Sequence, residues 1–291
     1  YVKSKRESNA DVGDRANDSL RVNGDELNCR VVGEGGNLGL TQLARVEYAL
    51  NGGKIYTDFV DNSAGVDCSD HEVNIKILLN DVVSNGDMTV KQRNQLLASM
   101  TDEVATLVLK NNYYQTQAIS IAAAQAYKNT DLYLRFIDEL AKEGRLDREI
   151  EFLPDEKELL ERKSQDKGLT PPEIAVLMAY SKIKLKEDIL NSDLPEDHYL
   201  CQYIKTAFPK VLHDEYKDYI HNHSLRREII ATQLSNMIVN DMGLTFVSRV
   251  QDETGASVSA IVRAYVISRS VFSMSESWRD IQTLDYQIDS D

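Results

Sequence analysis

Apolar positions change their spacing several times along the first third of the chain. Residues 28–34, NCRVVGE, form a short β-branched run that stops at the glycine-rich GEGGNLG. TQLARVEYALN then places Leu43, Val46 and Leu50 three and four apart, the spacing of one helix face. Gly52 and Gly53 close that helix, KIYTDFV reads as a second strand, and DNSAGVD reads as a second turn. SDHEVNIKILLNDVV resumes helical spacing through Val73, Ile77 and Val82. Strands alternating with helices predict a parallel sheet, whose ligands collect beyond the carboxyl ends of the strands, where both turns would lie. The polar stretch before it, residues 1–24 with DVGDRANDS, is expected to run over a surface as loop.

From about residue 85 strand signals almost vanish. QLLASMTDEVATLVLKNN puts Leu96, Met100, Val104, Leu107 and Val108 on one helix face, and SIAAAQAY continues with high helix propensity. EKELLERKSQDKG reads as a solvated helix end. Thr170 as N-cap, Pro171 at the first helical position and Glu173 closing a capping box predict a helix start, and Ser257 predicts another, with Val258, Ile261, Val262 and Tyr265 as its buried stripe. SLRREIIATQLSNMIVND places Ile229, Ile230, Leu234 and Ile238 on one side, which reads as a packed bundle helix. The expected fold class is therefore α/β plus α: a partial Rossmann-like parallel sheet over residues 1–85, followed by a mainly helical C-terminal domain over 86–291.

Length agrees with two domains, since 291 residues exceed the usual single-domain size of roughly 100–200. Acidic residues outnumber basic ones 47 to 33, and the resulting charge of −14 works against nucleic acid and anionic lipid as partners. Apolar runs such as VATLVL fall far short of the ~20 residues that span a bilayer, and nothing at the start resembles a signal peptide. Cys29, Cys68 and Cys201 are odd in number and widely spaced, which suggests a reducing compartment and a cytoplasmic location. The first residue is Tyr1, so a longer parent protein is expected.

Candidate chemistry lies in the two turns. In GEGGNLG the third glycine of a dinucleotide fingerprint would fall at Leu38, so the turn is either a tight strand-to-helix connection or a place where Gly35 and Gly36 admit a flat ring or ribose beside the Asn37 amide. The second stretch, NSAGVDCSDHE at 62–72, admits more readings. Cys68 and His71 are three apart beside Asp67, Asp70 and Glu72, but no second ligand pair completes a zinc site and no third group orients a nucleophilic dyad. No metal is expected. Helix capping by Ser69 or Asp67, for a helix beginning near Asp70, is the plainer reading.

The run from RVVGEGGNLG through TDFVDNSAGVDCSDHEVNIKILLNDVV, with LTPPEIAVLMAYSKIKL, LRREIIATQLSNMIVNDMG and TGASVSAIVRAY, resembles the large NAD-specific glutamate dehydrogenases of bacteria. The smaller hexameric glutamate dehydrogenases share the patterns E-G-A-N and N-A-G-G-V-x-x-S-x-x-E, which align without gaps on EGGN and NSAGVDCSDHE. Ser63, Ala64, Asp70 and His71 depart from the second pattern toward a more polar wall. The resemblance implies NAD as cofactor, L-glutamate and 2-oxoglutarate as substrate and product, and a homo-oligomer at full length. It implies that Asn37 meets the nicotinamide-side ribose, Asn62 the carboxamide and Ser69 the glutamate side-chain carboxylate, with Gly65 allowing close approach to the ring. The catalytic lysines and acid would lie upstream, so no catalytic residue is assigned and the chain alone is expected to be inactive. The alternative is a helical regulatory or oligomerisation module without catalysis of its own.

Overall fold

A computed structural model describes residues 1–36, 38–285 and 287. Its strands are short. β1 (Val2–Lys3) pairs in parallel with β2 (Val22–Asn23), Val2 opposite Val22 and Lys3 opposite Asn23, and Val2 also bridges Leu40. The two segments expected as neighbouring strands do meet in parallel, but only as the single bridge Val31 to Lys54. It is held by the Val32 N–H on the Lys54 carbonyl and the Lys54 N–H on the Arg30 carbonyl, each 2.9 Å.

Among the described residues, everything else with regular structure is helical. The α-helices are α1 (Asn9–Val12), α2 (Gln42–Leu50), α3 (Asp58–Asp61), α4 (Ser63–Ser84), α5 (Val90–Ser99), α6 (Thr101–Ala124) and α7 (Thr130–Lys142), then α8 (Glu156–Lys163), α9 (Pro171–Leu190), α10 (Lys217–His221), α11 (Arg226–Met242), α12 (Phe246–Thr254), α13 (Val258–Val271) and α14 (Met274–Gln282). A 3₁₀ segment, Leu200–Ala207, packs between α10 and α11. The protein is thus mostly helical with a small parallel sheet. Residues 1–24 carry β1, α1 and β2 and are not simply loop; Ser8 caps α1 in a capping box with Asp11. Among the described residues no helix is long and apolar enough to cross a membrane.

Several expectations need correction. The extended segment from Lys54 ends at Thr57, because Asp58–Asp61 turns into α3 with Val60 fully buried. α4 then starts at Ser63 and not near Asp70, so Asp67 and Ser69 lie inside the helix and cap nothing. DNSAGVD is rich in turn-forming residue types, yet a tertiary contact overrides that preference: the Asn112 side chain of α6 donates to the Val60 carbonyl and to Ser63 Oγ, both at 2.8 Å. The buried side of α4 is His71, Ile75, Leu78, Leu79 and Val82, while Val73 is half exposed to solvent. The helix expected to run through Met100 breaks there, with Met100 buried at the corner and Asp102 and Glu103 in the first turn of α6, where the helix dipole favours acids.

The start signals hold. Thr170 and Glu173 form the capping box of α9 with Pro171 at its first position, and Ser257 accepts the Ala260 N–H at the start of α13. Arg162, expected in a solvated end, is instead buried; its Nη1 donates to both oxygens of Glu173 at 2.9 Å and its Nη2 to Glu158 at 2.8 Å. Ile229, Ile230, Leu234 and Ile238 of α11 are all core. The principal core runs from Val60 to Val266 and joins α4 with the later helices, while Leu40, Ala44, Tyr48 and Ile55 form a small satellite under α2. α2 is fastened to the helical part by Gln42 Nε2 on the Pro172 carbonyl at 3.3 Å.

Candidate functional site

The two turns singled out from the sequence are joined by charged side chains that hydropathy patterns do not reveal. Glu34, at the end of the first extended segment, is buried against Arg45 of α2, with Nε to Oε1 at 2.6 Å and Nη2 to Oε2 at 2.9 Å. The same guanidinium reaches Asp58 Oδ1 of α3 at 3.3 Å. Asp58 Oδ2 accepts the Leu38 N–H at 3.1 Å, and Asp61 Oδ2 accepts the Glu34 N–H at 2.9 Å. One helical turn therefore grips the glycine-rich loop near both of its ends. Burial raises the Asp61 carboxyl above the usual carboxylate range, a push the Glu34 N–H and Arg45 oppose.

Gly35 and Gly36 are exposed, and a side chain at either would meet nothing within 4 Å, so the loop offers open main chain. Leu38 has a φ of 60°, a left-handed conformation in a non-glycine residue with its side chain in solvent. Asn37 lies outside the described residues.

Asn62 is the single residue between α3 and α4, and its side chain makes no bond to the helix that follows. A Cβ at Gly65 would come within 3.2 Å of Asn62 Oδ1 and 3.3 Å of Nδ2, so the amide lies over a helix turn that only a glycine leaves bare. Ser69 is exposed one turn further on, with a long 3.5 Å contact from Oγ to the Gly65 carbonyl. Positions 62, 65 and 69 are spaced three and four apart and so share one side of α4 over about 10 Å. The structure thus brings Asn62, Gly65 and Ser69 onto one face and ties the Gly35–Gly36 loop to the start of that face.

His71 belongs to the opposite side. Its ring is buried, and because a carbonyl only accepts, Nδ1 carries the proton it donates to Ala207 O at 2.9 Å. Nε2 sits 3.7 Å from Asp67 Oδ1, and the other oxygen of Asp67 accepts from Asn111 at 2.9 Å. Cys68 is exposed on the solvent side of the helix. Among the described residues no group of three or more His, Cys, Asp or Glu side chains could hold a metal ion. Sequence reasoning missed Arg45, Asp58, Asp61 and Asn112. The only legible signal for Arg45 was a charged residue between the apolar positions Leu43 and Val46 of the predicted helix face.

Residues 1–122 match the family model for the bacterial NAD-glutamate dehydrogenase catalytic domain, and residues 166–291 match that for the glutamate dehydrogenase C-terminal region. The chain is 56% identical over 291 residues to the NAD-specific glutamate dehydrogenase of Pseudomonas aeruginosa, and 53% identical over 290 residues to that of Halomonas elongata. It is 45% identical over 288 residues to the Mycobacterium tuberculosis enzyme of the same name. Those matches cover 99–100% of this chain but 18% of each relative, so the chain spans about a fifth of the length of the curated relatives it matches. With a catalytic-domain match at one end, a C-terminal match at the other and this identity throughout, the chain belongs to the bacterial NAD-glutamate dehydrogenase family.

Proposed function

We propose that this chain forms the nicotinamide- and substrate-facing wall of an NAD-dependent glutamate dehydrogenase that oxidatively deaminates L-glutamate to 2-oxoglutarate and ammonium. The observation that carries the reading is the shared face of α4, with Asn62 over bare Gly65 and Ser69 one turn on. The residues fit the cofactor. An amide offers one donor and one acceptor edge, which matches a carboxamide, and the glycine beneath it lets a planar ring lie close to the helix. NAD, when bound, supplies the acceptor for the hydride of the glutamate α-carbon. Asn62 would orient the ring, Gly35 and Gly36 would admit the adjoining ribose beside Asn37, and the Ser69 hydroxyl would donate to the substrate's side-chain carboxylate without adding charge.

On this reading the bridged segments are the end of a Rossmann-like sheet whose other strands come from chain beyond these residues. Residues 1–85 would face the nucleotide, residues 86–291 would form the helical domain, and the enzyme would work as a cytoplasmic homo-oligomer. The reading is tested in a chain of the relatives' length that carries this segment. Asn62→Ala should raise KM for NAD about tenfold with KM for glutamate little changed, and Ser69→Ala should do the reverse, each removing one hydrogen-bonding group from a closed site. Equal or absent effects on both substrates would reject these roles.

A further inference from the structure

We propose that Asp61, assisted by Asp58, is a positioning residue for the cofactor, holding the Gly35–Gly36 loop in register with Asn62 through main-chain amides. The inference rests on the cofactor reading above and extends it to residues that touch neither cofactor nor substrate. Its basis is an economy of connections within one four-residue helix. α3 ends at Asp61, and the next residue is Asn62. The Asp61 carboxylate takes the Glu34 N–H at 2.9 Å, immediately before Gly35, and the Asp58 carboxylate takes the Leu38 N–H at 3.1 Å, on the far side of the loop. Leu38, at a φ of 60°, keeps a conformation that an unrestrained leucine seldom adopts, which is what a loop clamped at both sides requires.

Simple loop bracing would not need this arrangement of charge. Glu34, Asp58 and Asp61 converge around one guanidinium, Arg45, which bonds Glu34 twice and Asp58 once. Three acids around one base leave a net negative cluster, with Glu34 and Arg45 buried and Asp58 and Asp61 half-buried, so the cluster is a costly way to hold a loop. What it provides is rigidity in two directions. Arg45 fixes α3 against α2, and α3 fixes both the loop and, through the Asn62 N–H on the Asp58 carbonyl at 2.9 Å, the main chain of Asn62, so a shift in one is a shift in the other. Asn112 holds the same junction from α6 through Val60 O and Ser63 Oγ.

The test has two arms. In the 291-residue chain itself, amide hydrogen exchange should find Glu34 and Leu38 protected relative to Gly35 and Gly36; equal exchange at all four would overturn the clamp without any substitution. In a chain of the relatives' length, Asp61→Ala should raise KM for NAD about tenfold while KM for glutamate stays within about twofold. Asp61→Asn, whose amide oxygen can still accept the Glu34 N–H, should restore the parent value. An Ala variant with unchanged KM for NAD, or an Asn variant as impaired as Ala, would overturn the proposal. The result with Asn62→Ala separates the two ideas: if it raises KM for NAD and Asp61→Ala does not, the positioning role fails and the cofactor reading stands. If neither does, the cofactor reading has failed first.

Discussion

At Gly65 a single missing methyl group divides stability from function. The residue sits in the first turns of α4 with no positive φ, so alanine there gains helix propensity, on the order of 1 kcal/mol for an interior position. Its new Cβ would press at 3.2–3.3 Å on the Asn62 amide, which must give by a few tenths of an ångström. Gly65→Ala should therefore leave the melting temperature of the chain unchanged or raised while weakening NAD binding in the longer enzyme; thermal melts alongside KM for NAD measure the split. Arg45 lies at the other extreme. Replacing it with methionine keeps most of the side-chain volume but strands the buried Glu34 carboxylate and weakens the hold on Asp58, which should cost about 3–5 kcal/mol by chemical denaturation. A loss below 1 kcal/mol would mean that water reaches the cluster and that the pair contributes little.

Among the elements, α4 carries the candidate face on one side and is bolted to the C-terminal helices on the other. His71 of α4 donates to the Ala207 carbonyl, and His223 Nε2 donates to the Asn74 carbonyl of α4 at 3.0 Å while its Nδ1 accepts the Leu225 N–H at 3.0 Å. His223 is thereby satisfied only as the neutral ring; a second proton on Nδ1 would face an N–H. Burial holds its pKa below the ordinary histidine value. A depressed histidine pKa means that the unfolded chain takes up the proton first, so this contribution is complete above about pH 6.5 and is lost as pH falls through the window below it. Denaturation at pH 7.5 and pH 5.5 should show a loss that His223→Gln reduces; equal losses in parent and variant would assign the pH effect to other groups. How far such elements could be read from the sequence depends on how local their causes are. Thr170–Pro171–Glu173 and Ser257 were legible because a cap is a contact among neighbours three residues apart. The start of α4 was not, since DNSAGVD is helical through Asn112, some fifty residues away. Arg162 looked solvated for the same reason: its partner Glu173 is eleven residues on, across a turn. Asn62, Gly65 and Ser69 were proposed from the family resemblance, whereas the carboxylates that hold the Gly35–Gly36 loop had no pattern to show.

For the whole molecule the decisive question is what a chain of this extent can do unaided. Its main core is continuous from Val60 to Val266, which implies one cooperative unfolding transition for α4 and the later helices together. Around the candidate face, by contrast, Leu38, Phe59, Val66 and Val73 expose large apolar side chains, as a pocket wall does when the opposite wall is elsewhere. The electrostatics point the same way. Glutamate brings two carboxylates, and the turns of α4 that would receive it carry Glu72 beside Ser69 and Asp67 and Asp70 further round the helix, with Asp61 just before them, while Arg45 is committed to Glu34 and Asp58 and Lys76 to Glu72. Partial desolvation, and then the neighbouring Asp67 charge, raise the Asp70 carboxyl, as expected where acids crowd. Two carboxylates cannot be held there by one serine hydroxyl, and hydride loss from the α-carbon further needs a general base that this face does not align. The 291-residue chain should accordingly melt in a single transition and produce no glutamate-dependent NADH above a no-enzyme control. Turnover comparable to that of the longer relatives would mean that the cations and the base lie within these residues, and the division of labour argued from α4 would have to be redrawn.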